Sequence, residues 1–309
     1  MIKAVFIVGP TASGKTSLSI ELAKKFGGEI VSADSMQIYK GIHIASAAPD
    51  EEEKSGIPHH LIEFLTVGDS FSVADYVKLA RETINDINLR GKLPIIVGGT
   101  GLYINSLLDN IEYCEVEIDY SLRNDLEEKF SKLGGEEMLK ELAKFDPNSA
   151  NELHPNNKRR IIRAFEVFLQ TGNTKTQQNI LSKQNKGEIL PLVIGVNFKD
   201  RELLYDRINK RVDIMMQNGL LSEAKTTYGV SQNSGAFQAI GHKELYNFFE
   251  NNCSLEDAVE HLKQQTRRYA KRQLTWFNKD QRINWFYQDT AVDIFEDISE
   301  LTEKFLKEK

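Results

Sequence analysis

The sequence predicts an α/β fold: a parallel sheet with helices on both faces and a phosphate-binding loop (P-loop), plus an inserted all-helical domain. Three observations support this prediction. Short apolar runs alternate with helical patterns, which is typical of parallel strands covered by helices. The pattern G-x-x-x-x-G-K-T follows the first apolar run directly. Residues 118–180 carry helical patterns without any apolar run of the strand type.

The apolar runs place the strands. Strands are predicted at 2–8, 29–33, 94–98 and 189–196, and helices at 15–26, 73–90 and 101–108. Ser72 and Asp75 have the spacing of a capping box at the start of the helix at 73–90. The segment 201–278 is mostly helical in pattern, and 283–287 is either an edge strand or a packed loop.

The stretch without strand patterns divides the chain. It contains three helical segments with polar breaks, and Gly172 stands where a helix C-terminal cap belongs. We therefore predict a discontinuous catalytic core of residues 1–117 and 181–309. Residues 118–180 form the helical insertion domain.

Composition excludes several classes of protein. A hydrophobic fraction of 40% and a charged fraction of 27% are ordinary for globular proteins. No apolar run reaches the length of a membrane span, and the first run is too short for a signal peptide. Two cysteines, Cys114 and Cys253, cannot build a zinc site or a disulfide framework. We expect a cytoplasmic protein without a membrane partner.

The P-loop pattern predicts a diphosphate site. Its glycines let backbone N–H groups converge on phosphate oxygens, Lys15 supplies a positive charge, and Thr16 can hold Mg²⁺. The predicted diphosphate-binding residues are Gly9, Pro10, Thr11, Ala12, Ser13, Gly14, Lys15 and Thr16. The pattern does not identify the molecule that carries the diphosphate.

The end of the second strong strand argues against an ATPase or GTPase. P-loop hydrolases carry a metal-binding Asp at the end of a second apolar strand. Here the second strong strand, 94–98, runs into Gly98, Gly99, Thr100 and Gly101 without an acid. Asp34, after the strand at 29–33, is a possible metal ligand, but its neighbours favour another role.

Six motifs together carry a family resemblance. They are GPTASGKT (9–16), DSMQIYKG (34–41), VGGTGLY (97–103), HPNNKRRIIRAFEV (154–167), QAIGHKEL (238–245) and AKRQLTWF (270–277). In this order, and over nearly the whole chain, the sequence resembles the tRNA dimethylallyltransferase family, also called tRNA isopentenyltransferases.

The resemblance implies a reaction and its catalytic residues. A dimethylallyl group would move from dimethylallyl diphosphate to the exocyclic amine of the adenine on the 3′ side of the anticodon. The P-loop would hold the diphosphate leaving group with Mg²⁺. Asp34 matches the general base, Thr100 matches a hydroxyl at the reacting centre, and Arg211 matches a diphosphate contact, with Arg207 as support. The partners implied are dimethylallyl diphosphate and the tRNA anticodon stem-loop, and the resemblance implies a monomer.

The resemblance also implies where tRNA binds. The matching positions are Asp34, Ser35, Met36, Gln37, Thr100, Arg123, Arg159, Arg160, Ile161, Ile162, Arg163, Gln238, Ala239, Ile240, Gly241, His242 and Lys243. Because an adenine stacked in a loop cannot reach a buried carbon, the base must be turned out. Met36, Gln37 and Tyr39 stand where they could contact the displaced base or the gap it leaves.

Two acid-free basic clusters fit an RNA partner, although the net charge is −6. The first contains Lys158, Arg159, Arg160 and Arg163, and the second contains Lys263, Arg267, Arg268, Lys271, Arg272 and Lys279. Each alone could be a solvated helix face. On a helix, the apolar residues of each segment, including Tyr269 in the second, are predicted to face away from the basic residues.

Two alternatives remain open on the residues. The first is a small-molecule enzyme, either a P-loop kinase or an adenylate prenyltransferase, which would act on AMP or ADP without tRNA. The second is an RNA-binding NTPase, which would hydrolyse ATP or GTP when RNA is added.

Overall fold

The computed structural model describes residues 1–113, 119–182, 187–229, 235–290 and 293–308, without the side chains of residues 179, 181, 182 and 238. In this part of the chain six strands form one sheet. They are β1 (Ile2–Val8), β2 (Gly28–Ser32), β3 (His59–His60), β4 (Leu93–Gly98), β5 (Ile189–Asn197) and β6 (Ile283–Tyr287). Their order is β3-β2-β4-β1-β5-β6, and every neighbouring pair is parallel.

Helices connect these strands. Before β5 they are α1 (Lys15–Phe26), α2 (His43–Ser46), α3 (Glu51–Lys54), α4 (Val73–Leu89), α5 (Gly101–Leu108), α6 (Tyr120–Ala143), α7 (Pro147–Glu152), α8 (Lys158–Thr171) and α9 (Lys175–Ser182). After it come α10 (Arg201–Gln217), α11 (Leu220–Thr227), a 3₁₀ turn at Ala236–Gln238, α12 (Lys243–Phe249), α13 (Leu255–Phe277) and α14 (Ile294–Lys307).

Helices cover both faces of the sheet, as predicted. Because side chains alternate along a strand, Val5 and Ile7 of β1 point to one face, where they share a core with α1 and α14. The intervening β1 residues point to the other face, where α4 packs against β1, β2 and β4. On that face the buried Tyr76 of α4 donates a hydrogen bond to the Ser32 carbonyl over 3.1 Å. Strands with both faces covered are apolar throughout, which explains the continuous apolar runs.

The chain forms two compact units. Unit 1 contains residues 1–108 and 188–309, and unit 2 contains residues 109–187. Unit 2 has its own core, where Leu126 and Met138 of α6 meet Ile161 and Phe165 of α8. The sequence suggested borders after residues 117 and 180, whereas the contacts divide the chain after 108 and 187. The contact of the helical unit with tRNA stays a prediction.

Several local predictions are confirmed. Ser72 and Asp75 form a reciprocal capping box, and Gly172 ends α8 in the left-handed conformation. The segment 283–287 is an edge strand. The sequence missed β3, whose two residues are too few to show a pattern. Two helical segments that the sequence predicted as separate follow each other in α6, where a kink at Gly134 lies between them.

Two findings bear on the composition. No helix in the described ranges is long and apolar enough to cross a membrane. Cys253 is an unpaired thiol, and Cys114 lies outside the described residues.

Candidate active site

Three loops meet at the carboxyl edge of the sheet. Strands β2, β4 and β1 are neighbours, so their ends lie side by side. Strand β1 continues into the P-loop, β2 into Asp34, and β4 into Gly99 and Thr100. Ligands of open α/β sheets bind at this edge.

The P-loop has the backbone that its glycines predict. Gly9 and Gly14 have φ values of +147° and +92°, and a Cβ on Gly9 would stand 2.2 Å from the Val196 carbonyl oxygen. Helix α1 begins at Lys15, so its first N–H groups point towards the loop. The Lys15 ammonium donates to the Pro10 carbonyl over 2.6 Å. The buried Ser13 hydroxyl has no hydrogen-bond partner among the described residues. These features form a cradle for anionic oxygens.

Side chains from distant elements hold this loop. Gln273 of α13 accepts a hydrogen bond from Thr11 N (2.9 Å) and donates one to the Gly99 carbonyl (3.0 Å). Arg207 of α10 donates to the Ala12 carbonyl over 3.0 Å. Arg207 thus supports the loop from outside, and Gln273 ties it to the β4 turn.

The turn that follows β2 and the turn that follows β4 are in contact near Asp34. A Cβ on Gly98 would lie 2.2 Å from the Ala33 carbonyl oxygen, so only glycine allows this approach. Asp34 Oδ1 accepts a hydrogen bond from Met36 N (2.8 Å). The Thr100 hydroxyl accepts one from Ser35 N (3.0 Å). Asp34 therefore caps its own turn, and Thr100 is fixed next to it.

Two cavities flank the P-loop. The first has a volume of about 390 Å³. Its lining includes the predicted site residues Lys15, Thr16, Asp34, Gln37, Arg211 and Lys243. It also includes Gly99, Tyr269, Arg272 and Gln273, which were not predicted as site residues. The second, of about 640 Å³, shares Lys15, Thr16 and Arg211 with it and extends past Arg207 to α2 and α3. Asp34, Lys15 of the P-loop and Arg211 of α10 thus line one cavity.

The charged groups of this space change each other's pKa values. Burial and the charge of Arg211 lower the pKa of Lys15 to about 7, and the charge of Asp34 opposes both. Burial raises the pKa of Asp34, against the backbone N–H groups of Met36 and Gln37 and the two cations. Burial also lowers the pKa of Arg211. Such shifts are typical of functional sites.

The segment after Asp34 is only partly accessible. Ser35, Met36 and Gln37 line the first cavity. The Gln37 amide is held by Ser32 Oγ (2.8 Å) and by the Ala47 carbonyl (3.3 Å). The suggestion that Tyr39 contacts a displaced base is wrong, because Tyr39 is 2% exposed inside an apolar cluster.

The segment 238–243 also contains both residues that line the first cavity and residues that are buried. Ile240 and Lys243 line the first cavity. Ala239 and His242 are buried, and His242 bonds Glu223 (2.9 Å) and Thr227 (2.9 Å). Gly241 has a φ of +116°. The side chain of Gln238 lies outside the described part of the chain. The buried side chains of Ala239 and His242 hold the segment in place, and its contact with tRNA stays a prediction.

In unit 2 the predicted RNA-binding residues have different environments. Arg159 and Arg160 are exposed, and no described carboxylate lies within 4 Å of either. Arg123 instead binds the buried Glu166 with two hydrogen bonds (2.6 and 3.1 Å), and Arg163 contacts the same carboxylate at 3.3 Å. Ile161 and Ile162 are buried, as the helical pattern predicts, so their side chains are closed to RNA.

The second basic cluster contains some residues that pair with an acid and others for which the described residues offer no acidic partner. Lys263 pairs with Asp213 (2.6 Å) and Arg267 with Glu260 (3.2 Å). Among the described residues, no carboxylate lies within 4 Å of Arg268, Lys271, Arg272 or Lys279. The prediction that Tyr269 faces away from this cluster is wrong for Arg272, whose guanidinium lies 5.6 Å from the Tyr269 ring centroid. Both line the first cavity, because the two positions are close in angle around the helix.

A metal would have few protein ligands here. The described residues contain no group of three or more His, Cys, Asp or Glu side chains arranged to hold a metal ion. Mg²⁺ at phosphate sites takes one or two protein oxygens and the phosphates themselves. The exposed Thr16 hydroxyl at the P-loop fits that mode.

Sequence reasoning assigned no role to Gln273, Tyr269 or Arg272 in this cavity. Gln273 and Arg272 lie in the motif AKRQLTWF, and Gln273 is buried and polar, which is a signal for a structural or catalytic role. Tyr269 immediately precedes this motif and looked like a core aromatic.

Known proteins share this sequence and architecture. The family model described as IPP transferase matches residues 37–280. The tRNA dimethylallyltransferase of Bacillus subtilis (strain 168) is 49% identical over 293 residues, which cover 94% of this chain and 92% of that protein. The enzyme of the same name from Thermoanaerobacter sp. (strain X514) is 45% identical over 99% of this chain and 97% of its own length. This chain belongs to the tRNA dimethylallyltransferase family.

Solved structures agree with this membership. The tRNA isopentenylpyrophosphate transferase of Bacillus halodurans has a TM-score of 0.74 and 41% identity, covering 99% of this chain and 97% of its own. A eukaryotic dimethylallyltransferase acting on tRNA has a TM-score of 0.78 and 30% identity, covering 98% of this chain and 77% of its own. This dimethylallyltransferase family member is thus a prenyltransferase with the α/β fold that its sequence predicted.

Proposed function

We propose that this enzyme transfers a dimethylallyl group from dimethylallyl diphosphate to the exocyclic amine of the adenine 3′-adjacent to the anticodon in tRNA. The products are N6-dimethylallyladenosine and diphosphate. One observation carries the proposal: Asp34, a carboxylate with a raised pKa, lines the same cavity as Lys15 of the P-loop and Arg211 of α10. A phosphate cradle with a base beside it suits group transfer to a weakly nucleophilic amine.

The P-loop holds the leaving group. The bond between the allylic carbon and the bridging oxygen breaks, and its electron pair leaves with the diphosphate. Lys15, Arg211 and backbone N–H groups of the P-loop neutralise that charge as it develops, which lowers the barrier because these groups are already in place. Thr16 and the diphosphate oxygens would hold Mg²⁺, which supplies further charge neutralisation.

Asp34 removes the proton. The adenine nitrogen forms its bond to the allylic carbon while the amine proton passes to an Asp34 carboxylate oxygen. Burial raises the Asp34 pKa, which brings it closer to the value that suits a base at neutral pH. The Thr100 hydroxyl accepts a hydrogen bond from the N–H of Ser35, the residue after Asp34, and positions the amine.

The RNA side rests on charge. Arg159 and Arg160 are free of carboxylate partners among the described residues and suit phosphate contacts. Arg123 and Arg163 share Glu166, so their main contribution is to hold α8, and any phosphate contact is secondary. Lys243 and Met36 line the cavity that the adenine must enter. A cytoplasmic monomer remains our expectation for the working enzyme.

A mass measurement tests the reaction. The enzyme is incubated with Mg²⁺, dimethylallyl diphosphate and unmodified tRNA, and the digested nucleosides are weighed. We expect an adenosine heavier by one dimethylallyl group, and no such product from AMP or ADP alone. Equal modification of free AMP would support an adenylate prenyltransferase, and RNA-stimulated ATP hydrolysis without a mass shift would support an NTPase.

A further inference from the structure

Helix α2, which borders both cavities, has no side-chain cap of its own. Its N-cap residue is Ile42, whose side chain has no hydrogen-bond acceptor. The first N–H groups of a helix nevertheless need partners. The N–H groups of Ile44 and Ala45 donate to the two carboxylate oxygens of Glu223 in α11, over 2.7 and 2.9 Å. An acid from a distant part of the chain therefore caps α2.

Glu223 is itself held in one orientation. Its side chain is 11% exposed, and the buried His242 contacts its Oε1 through Nε2 over 2.9 Å. Burial raises the pKa of Glu223, but the hydrogen bonds from His242 and from the two α2 N–H groups outweigh burial and lower that pKa. An ionised carboxylate only accepts hydrogen bonds, so His242 Nε2 carries a proton, while Nδ1 contacts Thr227 Oγ1 over 2.9 Å.

The turn that carries His242 packs directly on α2. A Cβ on Gly241 would lie 3.2 Å from Ala45 Cβ. Ile44, Ala45 and Ile240 also share one apolar cluster with α11. A change at Glu223 is therefore transmitted to α2, because α2, α11 and this turn are packed together.

Helix α2 in turn orients a predicted site residue. Ala47, which ends this helix, accepts a hydrogen bond at its carbonyl from the Gln37 amide nitrogen over 3.3 Å. Ser32 Oγ donates to the amide oxygen of Gln37 over 2.8 Å. These two bonds fix which end of the amide is the donor and which is the acceptor. Both Gln37 and Ala47 line the first cavity.

We infer that Glu223 is a positioning residue for the tRNA substrate: it caps α2 and, through the Ala47 carbonyl, fixes the orientation of the Gln37 amide towards the adenine. The inference rests on the proposed function. A Gln amide can donate to and accept from one adenine edge only if its two ends are not exchanged. The P-loop is held by other side chains, Gln273 and Arg207. Loss of the Glu223 carboxylate should therefore weaken tRNA binding and leave diphosphate binding intact.

Hydrogen exchange tests the cap in the absence of substrate. In Glu223→Gln, one amide oxygen replaces two carboxylate oxygens, and the amide nitrogen faces a backbone N–H. The amides of Ile44 and Ala45 should exchange about tenfold faster, as expected for the loss of a hydrogen bond to a charged group. Exchange in the P-loop should be unchanged, which shows that the variant is folded. Unchanged exchange at Ile44 and Ala45 would overturn the inference.

A double-mutant cycle tests the connection to the site. Glu223→Gln and Gln37→Ala should each raise the KM for tRNA about tenfold and leave the affinity for inorganic diphosphate unchanged. Because both changes remove the same oriented amide, the double variant should have about the KM of Gln37→Ala alone. Residues without shared contacts ordinarily contribute additively to the free energy. Increases in KM that multiply in the double variant would therefore overturn the inference.

Glu29→Gln is the matched control. Glu29 is a carboxylate with a 6% exposed side chain, and its partners are Arg90, after α4, and His60 of β3. This substitution should leave the KM for tRNA and the exchange of Ile44 unchanged. Equal increases in the KM for tRNA from Glu29→Gln and Glu223→Gln would overturn the inference.

The same measurements separate this inference from the proposed function. Transfer to tRNA by the unaltered enzyme, with increases in KM that multiply, would refute the role of Glu223 and leave the proposed function intact. Filter binding gives the tRNA affinity of the four proteins of the cycle without any reaction. Coupled losses of tRNA affinity in the absence of transfer would refute the proposed function and support Glu223 as a positioning residue for RNA.

Discussion

At the scale of single residues, the central feature is that one acid and two cations, Asp34, Lys15 and Arg211, line one cavity. Burial and Arg211 lower the pKa of Lys15, and Asp34 offsets part of this effect. A bound diphosphate would add negative charge to the same cavity. The protonation of Lys15 should therefore depend on the ligand.

Diphosphate binding is predicted to take up a proton at Lys15. With a pKa of about 7, this amine is mostly neutral at pH 8 in the free protein. Diphosphate oxygens favour the charged form and raise that pKa, so up to one proton enters on binding. Calorimetry at pH 8 in two buffers of different ionisation enthalpy gives the proton count. Lys15→Met is the control that corrects for protons of diphosphate itself, and identical counts for both proteins would disprove the coupling.

Motifs predicted which residues gather at the site but not how far each is exposed. Lys15, Asp34 and Arg211 share one cavity, as expected of residues that follow neighbouring strands or line one helix. Tyr39 and His242 lie in matching motifs and yet are buried. The sequence alone does not reveal that a motif residue is buried. A residue that holds a loop in place and a residue that contacts substrate can occur in the same motif.

At the scale of elements, a buried carboxylate ties the edge of the sheet together. Glu29 of β2 is 6% exposed and bonds Arg90, which follows α4, with its Oε2 accepting from Arg90 Nη2 over 2.8 Å. The same oxygen contacts His60 of β3 at 2.7 Å. The hydrogen bonds from Arg90 outweigh burial and, with His60, lower the pKa of Glu29 to about 2. Three elements therefore depend on one negative charge.

Glu29→Gln is predicted to lower the free energy of unfolding by about 1.5–3 kcal/mol at pH 7, the range for hydrogen bonds to a charged group. Since the folded-state pKa is lowered from 4.5, this stabilisation is complete above about pH 4.5 and disappears as pH falls towards 2. Urea unfolding from pH 7 down to pH 3 measures it. Asp86→Asn, which removes an exposed partner of the same Arg90, should cost under about 1 kcal/mol. A pH-independent difference for Glu29→Gln would contradict the account.

The sequence predicted long elements better than short ones. Strands β1 and β5 and helix α1 follow from continuous apolar runs and helical spacing. Strand β3 has two residues and exists because β2 offers it a paired edge, which is a tertiary effect. The kink of α6 at Gly134 likewise depends on a glycine backbone inside an otherwise helical pattern.

At the scale of the whole molecule, an acidic chain must bind a polyanion. The net charge of −6 repels RNA, so binding depends on the few cations that the protein does not neutralise itself. In unit 2 the structure separates Arg159 and Arg160, without acidic partners in its described part, from Arg123 and Arg163, which share Glu166.

Salt dependence should distinguish these residues. Replacing Arg159 and Arg160 together by Gln is predicted to reduce the slope of log affinity for tRNA against log salt by about 1.4–1.8, at about 0.7–0.9 for each phosphate contact. Filter binding across a salt series measures the slope. Lys132→Gln is the control, since Lys132 is 71% exposed and pairs with Glu128. An unchanged slope in the double variant would return this helix face to an ordinary solvated surface.

The most direct test of the whole account is single-turnover transfer by Asp34→Asn. With excess enzyme bound to tRNA and dimethylallyl diphosphate, the account predicts a rate lower by about 10²–10⁴-fold, since the amine loses its base. Diphosphate affinity should stay within a few-fold of the original, because the P-loop is intact. A transfer rate close to that of the unaltered enzyme would contradict the assignment of Asp34 as the base and leave it as the cap of its own turn.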